Sequence, residues 1–172
     1  MKESTKPYLL YVGNIYPHKN TERMISAFKK LIRQNNSDYQ LVIVGGDNAD
    51  STKEVIFTGF VDDDKLDDLY KNATLYVFPS LYEGFGLSPL EAMARGVVTT
   101  SSNASCLPEI LGDGVLYFNP SDIDDIAEKI SKVLFDENLR NTLIKRGFER
   151  VKKYSWQKTA EETSEIYKNI PL

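Results

Sequence analysis

The chain alternates short unbroken apolar runs with longer stretches in which apolar residues recur every three or four positions. Tyr8 to Val12 is the first run and ends at Gly13; after the polar stretch Asn14 to Asn20, residues Met24, Ile25, Phe28, Leu31 and Ile32 fall at helical spacing. This pattern predicts strand, loop and helix. Leu41 to Val44, closed by Gly45 and Gly46, and Val55 to Phe57, followed by Gly59, are further runs without polar alternation. Strands that are apolar on both faces belong inside a parallel sheet with helices covering each side. Thr74 to Phe78, Val97 to Thr100 and Val115 to Phe118 supply a fourth, fifth and sixth strand. The acidic run Asp62, Asp63 and Asp64 precedes Leu66, Leu69 and Tyr70, which suits a cap at the positive end of a helix; metal binding is its other reading. After Asn119 and Pro120 the spacing predicts helices over Asp122 to Phe135, Glu137 to Lys153 and Trp156 to Asn169, with Ser121 and Ser155 as N-caps. Such alternation specifies an α/β fold: a Rossmann-like doubly wound parallel sheet of about six strands with flanking helices and right-handed crossovers.

Bulk properties narrow the function classes. A length of 172 residues suits one domain with its own core, residues 1–172, the terminal helix taking up 154–172. A hydrophobic content of 41% and a charged content of 27% are those of a globular protein. The formal net charge of -4 argues against a nucleic-acid surface, because a polyphosphate backbone is bound by clustered Lys and Arg. Any phosphate recognised here has to be small and locally cradled. Cys106 is the sole cysteine, which excludes an intramolecular disulfide, and with one histidine leaves too few soft ligands for structural zinc. That composition fits a reducing cytoplasm. No apolar segment approaches the ~20 residues that span a bilayer, and the opening MKESTKPYLLYVG lacks the apolar stretch of a signal peptide.

Ligands of doubly wound sheets bind outside the carboxyl ends of the strands, which directs attention to the loops after strands one and four. The second of these reads Pro79-Ser80-Leu81-Tyr82-Glu83-Gly84-Phe85-Gly86-Leu87, and Ser88-Pro89-Leu90-Glu91 then opens a helix with proline at its first position. Gly84 and Gly86 permit a sharp turn and a close approach to a ligand, while the free N–H groups of the helix terminus favour a phosphate. Glu91 has the spacing from Ser88 of a capping box, a purely structural reading. Glu83 has no helix to cap from its position, so a functional carboxylate and a solvated loop charge both remain open.

The residues Leu69-Tyr70-Lys71-Asn72-Ala73, Val77-Phe78-Pro79-Ser80, Glu83-Gly84-Phe85-Gly86-Leu87 and Glu91-Ala92-Met93-Ala94-Arg95-Gly96 together resemble the signature of retaining glycosyltransferases of the GT-B fold, family four, or group 1. The hallmark of that family is a pair of glutamates separated by seven residues, matched by Glu83 and Glu91. The resemblance continues through Ser102-Asn103-Ala104-Ser105-Cys106-Leu107-Pro108-Glu109 and Tyr154-Ser155-Trp156 and so covers nearly the whole chain. It implies that Glu83 bonds hydroxyls of the donor sugar and Glu91 the nucleotide ribose. Backbone N–H groups from Phe85 through Leu87 to Ser88 would cradle sugar and diphosphate; a wedge of core is the other reading of Phe85.

The loop Gly13-Asn14-Ile15-Tyr16-Pro17-His18-Lys19-Asn20 resembles the family's second phosphate-contacting loop, which usually carries an arginine and a lysine. Lys19 matches the lysine, and with Glu83 it is the residue expected to act on the reacting groups. Asn14 stands where arginine is common, so one cation is absent unless His18 or a second domain compensates. Apart from the resemblance, Lys19 reads as a solvated charge and Asn20 as a helix cap. Phe60 and Val61 fall where the family holds the base, with a core role for Phe60 equally open. Val98 replaces a common proline. His18, Cys106 and Arg95 read as structural or solvated.

The resemblance further implies one half of a GT-B fold, the carboxyl-terminal donor-binding half. Its missing amino-terminal partner would hold the acceptor and make any peripheral membrane contact. The implied reaction moves a hexose from a nucleoside diphosphate sugar to an acceptor hydroxyl with retained anomeric configuration, without metal or other cofactor, in polysaccharide or glycolipid synthesis. The Pro17-His18-Lys19-Asn20 loop looks like those of mannosyl transferases, which favours a GDP-mannose-like donor over a UDP sugar. The alternatives are a non-catalytic nucleotide-sugar-binding module and an interaction domain; the intact glutamate pair argues against the latter.

Overall fold

The computed structural model describes residues 6–46 and 51–170. Its strands are β1 (Tyr8–Val12), β2 (Gln40–Val44), β3 (Val55–Gly59), β4 (Leu75–Phe78), β5 (Thr99–Ser102) and β6 (Leu116–Phe118). They form one parallel sheet in the order β3-β2-β1-β4-β5-β6. Around it lie α1 (Thr21–Asn35), α2 (Asp63–Lys71), α3 (Leu87–Ala94), α4 (Leu107–Leu111), α5 (Ile123–Phe135), α6 (Glu137–Val151) and α7 (Trp156–Lys168), with a one-turn 3-10 helix at Pro17–Lys19. This is the doubly wound α/β arrangement that the apolar runs predict. Strand order reverses between β1 and β4, and in doubly wound sheets the carboxyl edge at such a reversal is where ligands bind.

The central strands are continuous apolar runs because both of their faces are covered. Leu9, Leu10, Tyr11, Leu41, Ile43, Leu75, Tyr76 and Val77 are fully buried. Helix α1 turns Met24, Ala27, Phe28 and Leu31 inward and packs on α5, whose buried stripe is Ile126, Ala127, Ile130, Val133 and Leu134. Each such large side chain contributes about 1.5–3 kcal/mol by leaving water, enough to hold the helices in place and fix the loops at their ends. Helix α7 differs: none of its residues is buried. Among the described residues no helix is long and apolar enough to cross a membrane.

Several boundaries depart from the sequence pattern. The fifth strand is Thr99–Ser102, two residues beyond the expected Val97 to Thr100. Val97 and Val98 are buried just ahead of it, and the Val98 carbonyl accepts from Tyr76 N at 2.9 Å. A strand of four hydroxyl residues can lie in the core because three of its side chains bond locally: Thr99 Oγ1 to Val97 O, Ser101 Oγ to Ser102 O, and Ser102 Oγ to Ser80 O. Helix α5 is capped by Asp122, which accepts from Asp124 N and Asp125 N, and not by Ser121. Ser155 caps α7 as its sequence position suggests, and Asp62 caps α2 by accepting from Lys65 N at 2.8 Å. The acidic run is thereby used as a helix cap. Phe60 is 92% exposed, which removes the core reading of that residue.

Candidate functional site

The loop after β1 is stitched to the loop after β4 by main-chain and side-chain bonds. Pro17–Lys19 forms its 3-10 turn with Lys19 N donating to Tyr16 O at 2.8 Å, and Leu81 N donates to His18 O at 2.8 Å. Asn20 stands at the N-cap of α1, as its sequence position suggests, but its side chain makes no capping bond; it sits in the left-handed region at φ 58° and is buried. Its Nδ2 donates to Pro79 O at 3.1 Å and Pro120 O at 2.8 Å, joining three loops of the carboxyl edge. Its Oδ1 accepts from Arg23 at 2.9 Å. An amide suits this node because it donates twice and tolerates positive φ.

These struts bring together the two residues expected to do the chemistry. Lys19 Nζ lies 2.6 Å from Glu83 Oε1, across the point where strand order reverses. Their side chains are only 17% and 13% exposed, so neither is a freely solvated charge. Lys19 also lies 5.9 Å from the centroid of the Phe78 ring. The main chain of Glu83 is held from the loop after β5: Ser105 Oγ donates to Glu83 O at 2.9 Å and accepts from Glu83 N at 3.4 Å, and Cys106 Sγ donates to Glu83 O at 3.2 Å. Ser105 itself adopts φ 58°. Asn14 supplies no cation, and its side-chain oxygen accepts from Tyr16 N at 3.3 Å. Tyr11, from inside the sheet, donates to the Asn14 carbonyl at 2.7 Å and steadies the loop just past Gly13.

Helix α3 begins earlier than its sequence suggests. Gly86 is the N-cap, at φ 95° and ψ 62°, and Leu87 opens the helix; Ser88 is therefore inside it, and Pro89 is its third residue instead of its first. A Cβ on Gly86 would lie 2.9 Å from Leu107 Cδ2, so glycine is required for conformation and for space. No side chain caps the first turn. The N–H groups of Gly86, Leu87 and Ser88 have no i−4 partner within the helix, and with the positive end of the helix dipole they supply the electrostatics an anion needs. Around Gly84 nothing comes within 4 Å of an added Cβ. Phe85 is exposed at 37% yet lies edge-on to Tyr154 at 5.4 Å between centroids, and this contact ties the loop to the segment between α6 and α7.

The capping-box reading of Glu91 fails with this start, because the N-cap is a glycine without a side chain and Ser88 lies within the helix. Glu91 instead accepts a hydrogen bond at 3.1 Å from the hydroxyl of Tyr70 on α2. Phe60 and Val61 follow β3, two strands from β1 at the same edge, outside the Lys19–Glu83 constellation. The arrangement thus offers a cation and a carboxylate joined across the strand-order reversal, an uncapped helix terminus in the same loop, and a second carboxylate on that helix held from α2. Sequence reasoning missed Asn20, Tyr70 and Ser105, since their roles depend on contacts across 59, 21 and 22 positions of chain.

Comparison with known proteins bears on this geometry. A family model described as glycosyl transferases group 1 matches residues 1–150. The O-antigen chain mannosyltransferase B of Escherichia coli is 36% identical over 173 residues, covering 94% of this chain and 45% of that protein. A serotype-specific mannosyltransferase WbdA of the same organism is 37% identical, covering 89% of this chain and 20% of its own length. The chain therefore spans less than half of these relatives. Among solved structures, a sucrose-phosphate synthase from Thermosynechococcus elongatus superposes with a TM-score of 0.80 at 28% identity, over 95% of this chain and 45% of that one.

Proposed function

Because the chain belongs to the group 1 glycosyltransferases and has the architecture of a carboxyl-terminal GT-B domain, we propose that it is the donor-binding part of a retaining hexosyltransferase. The donor is a nucleoside diphosphate sugar, a GDP-mannose-like one favoured, and the acceptor a hydroxyl in polysaccharide or glycolipid synthesis. The mannosyltransferase names of the relatives support that choice of sugar. The observation that carries the reading is the Lys19–Glu83 pair set across the strand-order reversal, beside the uncapped start of α3.

In the proposed complex the diphosphate lies against the first turn of α3 and draws Lys19 toward its oxygens. Departure of the nucleoside diphosphate concentrates negative charge there, and a preorganised cation and helix terminus stabilise it without a metal ion. Glu83, released from Lys19, accepts from hydroxyls of the donor sugar and fixes the anomeric carbon toward the acceptor. Glu91 accepts from the ribose. The acceptor side belongs to a second domain. Helix α7 supports this: Trp156, Ala160, Thr163 and Tyr167 recur at helical spacing on a face that is exposed among the described residues.

Calorimetry or ligand-observed NMR on the chain with GDP and UDP tests the reading. Weak binding without sugar transfer is expected, because part of the cleft is contributed by the other domain. No binding of either nucleotide at millimolar concentration overturns it.

A further inference from the structure

We propose that Tyr70 is a positioning residue for nucleotide recognition, its buried hydroxyl aiming the Glu91 carboxylate at the ribose. The inference rests on the reading of Glu91 given above and adds the residue that makes that contact selective. Tyr70 is fully buried, whereas Glu91 is exposed on the neighbouring helix. The tyrosine hydroxyl donates to Glu91 Oε2 at 3.1 Å and lies 3.4 Å from the Ser88 carbonyl, so it meets α3 at two points one turn apart.

The ring has little freedom. It packs on Tyr76 at 5.7 Å between centroids, and the Arg95 guanidinium lies over it at 4.9 Å. Arg95 is in turn fixed by Asp67 at 2.7 Å and by the Glu91 carbonyl at 3.1 Å. Burial, then Tyr76 and Glu91, push the phenol above its ordinary range, so it stays protonated and remains a donor at neutral pH. An exposed glutamate would otherwise sample several rotamers and lose that freedom on binding. With Oε2 held by a rigid donor, Oε1 is left to accept from a sugar hydroxyl at lower entropic cost.

The experiment measures the affinity of the chain for GDP and for 2',3'-dideoxy-GDP, and takes their ratio as the readout. The wild-type chain is expected to prefer the ribose form, Glu91→Gln to lose that preference, and Tyr70→Phe to reduce it about three- to tenfold. Tyr117→Phe, which removes a half-buried tyrosine hydroxyl that bonds neither α2 nor α3, should lower the melting temperature and leave the ratio unchanged. A merely structural Tyr70 would behave like Tyr117→Phe, and that outcome overturns the proposal. If Glu91→Gln also leaves the ratio unchanged, or the wild-type chain shows no preference, the reading of Glu91 fails and the proposal with it. In the Glu91→Gln background Tyr70→Phe should have no further effect on the ratio, because residues that act as one unit are not additive, and an equal effect in both backgrounds overturns the proposal.

Discussion

At the scale of single residues the site is defined by a competition. Lys19 and Glu83 are each assigned to a different part of the donor, yet without ligand they satisfy one another at 2.6 Å in a position largely shielded from water. Shielding strengthens the attraction between the two charges, but their desolvation offsets that gain, and the main consequence is a cost for whichever partner is left alone when the other is removed. In the proposed complex, donor binding would exchange one partner for another instead of pairing free charges. Two opposite expectations follow for the plain nucleoside diphosphate, which needs only the lysine. Lys19→Ala should weaken its binding by about tenfold or more while leaving the nucleoside almost untouched. Glu83→Gln should strengthen it by about two- to fivefold, more at low salt, since the lysine is no longer held back. In a two-domain enzyme the same Glu83→Gln should lower the transfer rate, because its contacts to the reacting sugar are lost. Titration calorimetry of both variants with GDP and guanosine decides it: an unchanged or weaker GDP affinity in Glu83→Gln would show that the pair does not compete with ligand.

At the scale of elements the sequence was informative where burial is two-sided and misleading where short-range chemistry substitutes for it. Strands β1, β2 and β4 are legible because runs such as Leu9-Leu10-Tyr11 have no other use. Strand β5 lies two residues beyond the start that Val97 and Val98 suggest, because the strand itself is built from Thr and Ser, three of whose four hydroxyls bond main-chain carbonyls. Helix α3 was misplaced for a related reason: Ser88 and Pro89 look like a helix start, and only the left-handed conformation of Gly86 shows that the turn has already begun. The Glu83 and Glu91 pair was legible through family resemblance; Tyr70 reads as one more apolar position on α2. The two glycines before α3 carry a test of what their region does. Gly86→Ala should cost about 1–3 kcal/mol for the left-handed backbone and displace Leu107, lowering the melting temperature by several degrees. Gly84→Ala should leave melting unchanged because an added Cβ there meets nothing within 4 Å. If Gly84 faces the donor, its alanine variant still loses affinity for the nucleotide sugar, and equal affinities in Gly84→Ala and wild type would place the sugar elsewhere.

At the scale of the whole molecule, two features concern how the domain holds together and what it lacks. Burial pushes Tyr8 and Tyr117 up to about 12 from an ordinary value near 10, and their hydroxyls donate to Leu69 O and Gly112 O. A group whose folded pKa is raised stabilises the fold fully below its unfolded value and loses that contribution as pH climbs through the folded one. Stability should therefore be flat toward pH 10 and fall between about pH 10 and 12. Denaturant melts across that window check this, and a decline complete below pH 9 would point to other groups. The last expectation concerns α7. Its residues are all exposed, including Trp156 at 77%, Ile166 at 63% and Tyr167 at 70%. An amphipathic helix without a covered face gains almost nothing from the domain that carries it, since helices of this length depend on packing for their stability. The preceding segment is different, because Tyr154 packs on Phe85 and donates to the Ile110 carbonyl at 2.9 Å. Ending the chain after Ser155 keeps that anchor and removes only the unpacked helix. The shortened chain should melt within about 2 °C of the full one and bind nucleotide equally, because a loss of even 1 kcal/mol in a domain of this size moves the midpoint by about 2–4 °C. Its helical signal before melting should fall only slightly. A drop of more than about 5 °C would show that α7 packs on this domain in solution. Unchanged melting combined with loss of activity in a two-domain enzyme would place its apolar face against the acceptor side.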